Sequence, residues 1–337
     1  MPTESSAPID GAPAAPRSRR ARVMRGIRIA FAIAVVLSIA WFVIVSWPDV
    51  AAALVRLHPG LLAGAVASSV LGVTAGMLSW RACMRALGAH LPLGASSSTY
   101  FVGQLAKYVP GSVWAVLAQA DLASRHGIGR TVTAAASLAQ MLVSVLSGML
   151  VGGIGLLLAG TDVLLAYWWI VPASLLCGVA LWPPLLQRLL RLAGRVLRRD
   201  ALRDVEVRAL PMLAASAWCA LMWVCFGAQF ALLVVPFATE PGTLVLAAAA
   251  YAFAWVTGFV IIFLPAGAGA REGVLVLALG GAIGLPTALS LALVSRFAML
   301  LGDVIVAAGG WIALRRSGVR PPSPLPGAGR GEDQAAA

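Results

Sequence analysis

Long apolar runs, separated by short polar segments that carry most of the arginines, set the pattern of this chain. Six runs, near 27–47, 60–80, 132–159, 163–182, 209–236 and 285–312, are long enough for a bilayer-crossing helix, which takes about 20 residues. A seventh, 243–264, is also long enough but ends in an unusual segment. The pattern predicts an all-α polytopic integral membrane bundle of six to eight membrane segments, one or two of them re-entrant or broken. The expected organisation is a disordered basic tail over 1–26, a transmembrane domain over 27–313, and a basic, then Pro/Gly-rich tail over 314–337. The first run has no small-residue cleavage site before Trp47 and Pro48, so it is expected to be a retained anchor and not a signal peptide.

Two segments interrupt the apolar pattern. The first contains GQLAKYVPGSVW over 103–114, and the second FLPAGAGAREG over 263–273. Proline lacks a backbone N–H and glycine tolerates most backbone angles, so a helix is predicted to break at both places. A third stretch, 184–203, places Arg188, Arg191, Arg195 and Arg198 on one helical face and leucines 185, 186, 189 and 190 on the other. That spacing predicts a basic amphipathic helix on the cytoplasmic surface, read as an anchor in preference to a headgroup site.

Topology follows from the arginines. A full crossing at 97–119 would put the seven arginines between Arg188 and Arg208 outside, against the positive-inside rule. A re-entrant 97–119 places every arginine cluster, and both termini, in the cytoplasm. For 243–284 two arrangements stay open: a full crossing followed by a short return, or a hairpin dipping in from outside.

Composition strengthens this picture. Of 337 residues 60% are hydrophobic and only 11% charged, whereas soluble domains carry about 25% charged residues. The net charge of +12 invites a nucleic-acid reading, but its placement beside apolar runs marks a cytoplasmic membrane face and argues against one. Cys83, Cys177, Cys219 and Cys225 form no disulfide or metal spacing. His58, His90 and His126 fall in predicted loops, which excludes a histidine-based site within the membrane. No GxSxG, HExxH or phosphate-binding loop is present, so neither an enzyme nor a cofactor or metal site is expected.

The candidate chemistry lies at the two interruptions. Lys107 is the single lysine, in an apolar stretch, where a buried charge needs a cavity or a partner; snorkelling to the surface is the alternative. Tyr108, Pro110 and Gly111 share that break, and Pro265, Gly267 and Gly269 form the second. Arg271 and Glu272 follow, at the start of a predicted helix whose N-terminal N–H groups suit an anionic headgroup; the alternative is a plain cytoplasmic turn. Arg296 and Asp303 are seven positions apart, on one helix face. For Asp303 a structural ion-pair role stands beside a substrate or proton role. Together these eleven residues form the predicted substrate-binding set. Gln104, Gln119, Gln140 and Gln229 are read as helix-to-helix hydrogen bonds in preference to cavity lining.

At these segments the sequence resembles the lysylphosphatidylglycerol synthase transmembrane family, also called the flippase-like domain. The resemblance rests on KYVPGSVW from Lys107 to Trp114 with Arg125 and Gly127, and on LPAGAGAREG from Leu264 to Gly273 continuing through VSRF to Asp303. It covers about residues 28–313. It implies a multi-pass inner-membrane protein that moves or handles lipids: phospholipid, aminoacylated or polyprenyl-linked. In bifunctional relatives this domain flips aminoacylated phosphatidylglycerol made by a soluble transferase domain. No such domain follows Arg316 in this sequence, so synthase activity is not expected. Other relatives accompany glycosyltransferases, which leaves a second reading: a non-transporting partner of a lipid-modifying enzyme or glycosyltransferase. Gln119 stands where many relatives carry arginine, and Ala266, Ala268 and Ala270 depart from the pattern around the glycines, which bears on headgroup preference.

Overall fold

The computed structural model describes residues 47–105, 114–196, 208–260 and 269–316. Among them the chain is helical, without strands. In chain order the helices are α1 (Trp47–Arg56), α2 (Pro59–Ala86), α3 (Leu93–Gln104), α4 (Trp114–Ser124), α5 (Arg130–Leu158), α6 (Thr161–Tyr167), α7 (Ile170–Ala180), α8 (Pro183–Val196), α9 (Ala209–Val234), α10 (Pro241–Val260), α11 (Ala270–Ile283) and α12 (Leu285–Arg316). Helices α2, α5, α9, α10 and α12 are long and apolar enough to cross a membrane. They match the runs 60–80, 132–159, 209–236, 243–264 and 285–312. The first run, 27–47, lies almost entirely outside the described residues.

Local sequence explains where the helices begin and end. Proline opens α2, where a missing N–H costs nothing, and His58 Nδ1 accepts the Gly60 N–H at 3.1 Å. Gly284, at φ +84°, is the one residue between α11 and α12. Only glycine turns the chain there without strain.

One expected span is bent. The run 163–182 does not form a single straight crossing: it splits into α6 and α7, bent by 82° at Trp168 and Trp169. Pro172 falls in the first turn of α7. Within a continuous helix its ring would clash one turn back and remove a hydrogen bond, so the chain restarts before it. Trp168 and Trp169 are exposed, as interfacial tryptophans are.

Small residues bring the helices together. The most extensive pair is α2 with α9. Gly72 admits the Phe226 ring to where a Cβ would lie 2.4 Å from it. Ser79 donates to the Ala215 carbonyl at 2.8 Å, and Ser68 to that of Cys225 at 2.9 Å. In a bilayer, close packing and interhelical hydrogen bonds replace the hydrophobic drive.

The amphipathic helix exists over Pro183–Val196, with residues 197–207 outside the described set. Its arginines 188, 191 and 195 are exposed, but Leu186 and Leu190 are buried. The apolar face therefore docks in part against the protein, where α7 and α9 contact it.

A buried hydrogen-bond chain links three helices. Trp80 Nε1 donates to Ser137 Oγ at 3.0 Å, and Ser137 Oγ donates to Gln119 Oε1 at 2.7 Å. Ser137 also has the Thr133 carbonyl as an acceptor at 3.0 Å, so it keeps a partner if Gln119 is lost. Gln119→Leu is therefore expected to lower stability by only about 0.5–1 kcal/mol, read as a small fall in unfolding midpoint in detergent.

Candidate functional site

The site grows from the turn that opens α11. Gly269 precedes the helix at φ +85°, a conformation a side chain would strain. Its N–H donates to Glu272 Oε2 at 2.7 Å, and the Gly273 N–H closes the first turn onto the Gly269 carbonyl at 2.8 Å. Glu272 thus caps its own helix, as a carboxylate three residues into a helix can.

The other oxygen of the same carboxylate, Oε1, pairs with Nε of Arg296 from α12. Glu272 is 7% exposed. This one side chain fixes the α11 start, the preceding turn and the neighbouring helix together. Arg271, adjacent in sequence, points elsewhere: its guanidinium lies over the Trp255 ring at 5.1 Å from the centroid. A cation over an indole face, partly shielded from water, is held by the ring quadrupole. Trp255 is itself set by a stacked Phe259 at 5.5 Å and an edge-on Trp223 at 5.1 Å.

Between these groups is a cavity of about 20 Å³, lined by Tyr251, Trp255, Arg271, Glu272, Ser295 and Arg296. That is room for about one water molecule. Arg296 Nη2 is buried and has no hydrogen-bond partner among the described residues. Beside the cavity, Gln229 Nε2 donates to the Ser295 carbonyl at 3.4 Å, and Ser295 Oγ donates to Gln229 Oε1 at 3.2 Å. Tyr251 Oη donates to Met299 Sδ at 3.2 Å.

Depth is set by helix geometry. Arg296 lies eleven residues into α12, about 16 Å along its axis. Glu272 is the same number of residues before the end of α11. Both therefore lie about 16 Å from the Gly284 turn, close to half the thickness of a hydrocarbon core of about 30 Å. At 14 residues α11 is about 21 Å long, too short to cross, whereas α10 is long enough. That favours the arrangement of a full crossing at 243–264 and a short return.

The structure brings Gly269, Arg271, Glu272 and Arg296 of the predicted set into one place. Asp303 is 1% exposed, two turns further along the Arg296 face of α12. Lys107, Tyr108, Pro110, Gly111, Pro265 and Gly267 lie outside the described residues. The flanks of the first break are described: α3 and α4 are each too short to cross, and they pack on one another with Gly103 against Gln119. Gln119 and Gln229 make the interhelical hydrogen bonds expected of them. Arg125 pairs with Asp121 at 3.5 Å on an exposed surface, and Gly127 takes a turn at φ +76°. The sequence reading missed Trp255 and Tyr251. Their spacing with Phe259, four residues apiece on one helix face before the second break, was the available signal.

A bundle of long apolar helices that gathers two arginines and a glutamate at the start of a short helix defines a polytopic membrane protein with a built-in polar cluster. The chain belongs to the family described as lysylphosphatidylglycerol synthase TM region, whose match runs over residues 29–307. No curated protein is similar enough in sequence to match it. The family name ties the chain to lipid handling in a membrane.

Proposed function

We propose that this protein moves a polar or anionic membrane lipid between leaflets, its headgroup passing the charged cluster at the α11 start, where the one-water cavity widens as the helices part. One observation carries the reading. A helix N-terminus, two arginines and one carboxylate meet near mid-membrane over an aromatic floor, with a buried Arg296 donor unsatisfied among the described residues. A permanent charge at that depth costs about 2.5–3.5 kcal/mol on insertion scales, and such residues mark substrate paths. Broken helices whose ends face the substrate are a recurrent transporter device.

In this reading Arg271 and Arg296 neutralise the headgroup phosphate, and Glu272 holds Arg296 in place between visits. Lys107 supplies a further cation, while Tyr108, Pro110, Gly111, Pro265 and Gly267 give the two breaks their free backbone groups and hinges. The arginine clusters flanking the spans support a plasma-membrane protein with both termini cytoplasmic. The lipid is a phospholipid, an aminoacylated phospholipid or a polyprenyl-linked lipid.

The test is a reconstituted assay with fluorescent phosphatidylglycerol in proteoliposomes. Wild-type protein is expected to equilibrate the probe across the bilayer. Arg271→Ala and Lys107→Ala are each expected to slow it at least about tenfold, the loss of one charge-assisted contact. Unchanged rates in both variants would remove the proposed site. No lipid movement by wild type, with a glycosyltransferase constantly co-purifying, would support the non-transporting partner instead.

A further inference from the structure

We propose that the chain is built from two inverted copies of one four-helix unit, α2–α5 and α9–α12, and that their relation supplies two matching gates. One gate is Gly155 of α5 against Ala249 of α10; the other is Gly310 of α12 against Phe101 of α3. Opening in turn, they give the charged cluster access to each leaflet. The inference rests on the lipid-moving reading above and adds how the cluster is reached from both sides.

Element order is the first argument. Each unit has a long apolar helix, two shorter helices on either side of a Pro-containing stretch, and a second long apolar helix. Pro110 and Pro265, in those stretches, are 155 positions apart in the sequence. The second unit is inverted. Helices α2 and α9 run antiparallel, because Gly64 meets Leu232, Gly72 meets Phe226, and Ser79 donates to the Ala215 carbonyl. Helix α5 runs with α9: Ser137 bonds to Trp80, next to Ser79 and hence beside Ala215, and Gly148 meets Trp223 further on. Helix α12 runs against α9: Ser295 bonds to Gln229, and Met299 meets Tyr251, whose ring packs on Phe226. So α5 and α12 also point in opposite directions.

Contacts are the second. A two-fold rotation that exchanges the units must turn each helix contact into another that exists. It sends α2 on α12 to α9 on α5, and α3 on α12 to α10 on α5, and all four are present. The residues correspond as well. Gly302 meets Ser69, and Gly148 meets Trp223, each at 2.9 Å from a would-be Cβ. Gly302 follows Gly148 by 154 positions, and Trp223 follows Ser69 by the same 154. Gly310 meets Phe101 as Gly152 meets Phe253, at 3.3 and 3.0 Å, and the two phenylalanines are 152 positions apart. Gly72 and Phe226, again 154 apart, meet each other, so the axis passes between them. Relating antiparallel spanning helices, that axis lies in the membrane plane.

Chemistry breaks the symmetry. The positions 154 before Arg271, Glu272 and Arg296 hold Leu117, Ala118 and Leu142, so one charged cluster serves both directions. Gly155 and Gly310 each lie 25 residues into their helices. Those helices are opposed, which puts the gates at opposite ends of the bundle. The cluster lies between them. Ala249 is six residues before Trp255 on α10, about 9 Å, and Gly310 is fourteen beyond Arg296 on α12, about 21 Å. With both gates packed and room for one water at the cluster, the structure is the closed intermediate. Because the gates are built alike, opening either costs a similar amount, and rocking one unit against the other exchanges them.

The test uses the full-length protein, its four native cysteines replaced by alanine, in liposomes with fluorescent phosphatidylglycerol as the probe. Two paired variants lock the gates: Gly155→Cys with Ala249→Cys, and Gly310→Cys with Phe101→Cys. Their Cβ positions, 2.9 and 3.3 Å apart, need only a small shift to reach the roughly 3.5–4.5 Å of a disulfide. Oxidation of either pair should stop probe movement, and reductant should restore it. Ser295→Cys, which lines the cluster cavity, reports access through a membrane-impermeant methanethiosulfonate. Unlocked, it should react from both sides; with one pair oxidised it should react only from the side of the other gate. Probe movement that continues with either pair cross-linked, or Ser295→Cys reacting from the same side under both locks, overturns the inference. Reaction from one side alone in the unlocked protein does so too, even if a locked pair fails to fold. No probe movement by wild type would remove the transport reading, while side-switching of Ser295→Cys would still establish the two gates.

Discussion

Replacing Glu272 with alanine is expected to destabilise the protein by about 3–5 kcal/mol, the cost of stripping a buried ionic pair of one partner. The loss has two sources. Arg296 keeps its charge but loses the carboxylate it pairs with, and the Gly269 N–H loses its acceptor at the start of α11. Glu272→Gln separates them, because an amide oxygen still accepts from Gly269 while the ion pair is gone. It should therefore fall between wild type and Glu272→Ala. Removing both charges, as Glu272→Leu with Arg296→Leu, is expected to recover most of the stability, since apolar replacement of a whole buried pair is often neutral. Lipid movement should stay lost in that double variant. Unfolding by denaturing detergent gives the first ordering and the liposome assay the second. If the double variant moved lipid at the wild-type rate, the pair would be scaffolding alone.

The contrast between those two readouts shows how much the sequence could tell. Hydropathy located the long helices because a bilayer demands an uninterrupted apolar run, and α2, α5, α9, α10 and α12 supply one each. It gave no sign of the bend at 163–182, where composition is equally apolar but Pro172 restarts the helix and the chain turns through 82°. Hydropathy counts residues and carries no direction, so a bend without a charge is invisible to it. At the site, scarcity of charge pointed to Arg271, Glu272, Arg296 and Asp303. It could not say that Glu272 would choose Arg296, 24 residues away, over its neighbour Arg271. That choice is made by tertiary packing, which lays α12 beside α11 and sends Arg271 onto Trp255. An aromatic floor such as Trp255 and Tyr251 is hard to read from sequence for a related reason. In an apolar helix an aromatic residue is ordinary, and only its position beneath a cation gives it meaning.

The second large effect is expected at Gly302, where α12 crosses α2. A Cβ there would lie 2.9 Å from Ser69 Cβ and 3.4 Å from the Val70 backbone nitrogen. The obstacle is in part backbone, which cannot swing aside as a side chain can. Gly302→Leu should therefore force the two helices apart and cost about 3 kcal/mol or more, at the upper end for overpacking. Gly302→Ala should cost about 1–2 kcal/mol. Gly309, on the same helix, provides the control: no described residue outside its own helix turn lies within 4 Å of its would-be Cβ. Gly309→Leu should be neutral or mildly stabilising, because glycine is about 0.8–1.0 kcal/mol worse than alanine inside a helix. Its neighbour Gly310 meets Phe101 at 3.3 Å, so the pair distinguishes packing from propensity one residue apart. Equal stability of Gly302→Leu and Gly309→Leu in detergent unfolding would show that the crossing is looser than these contacts require.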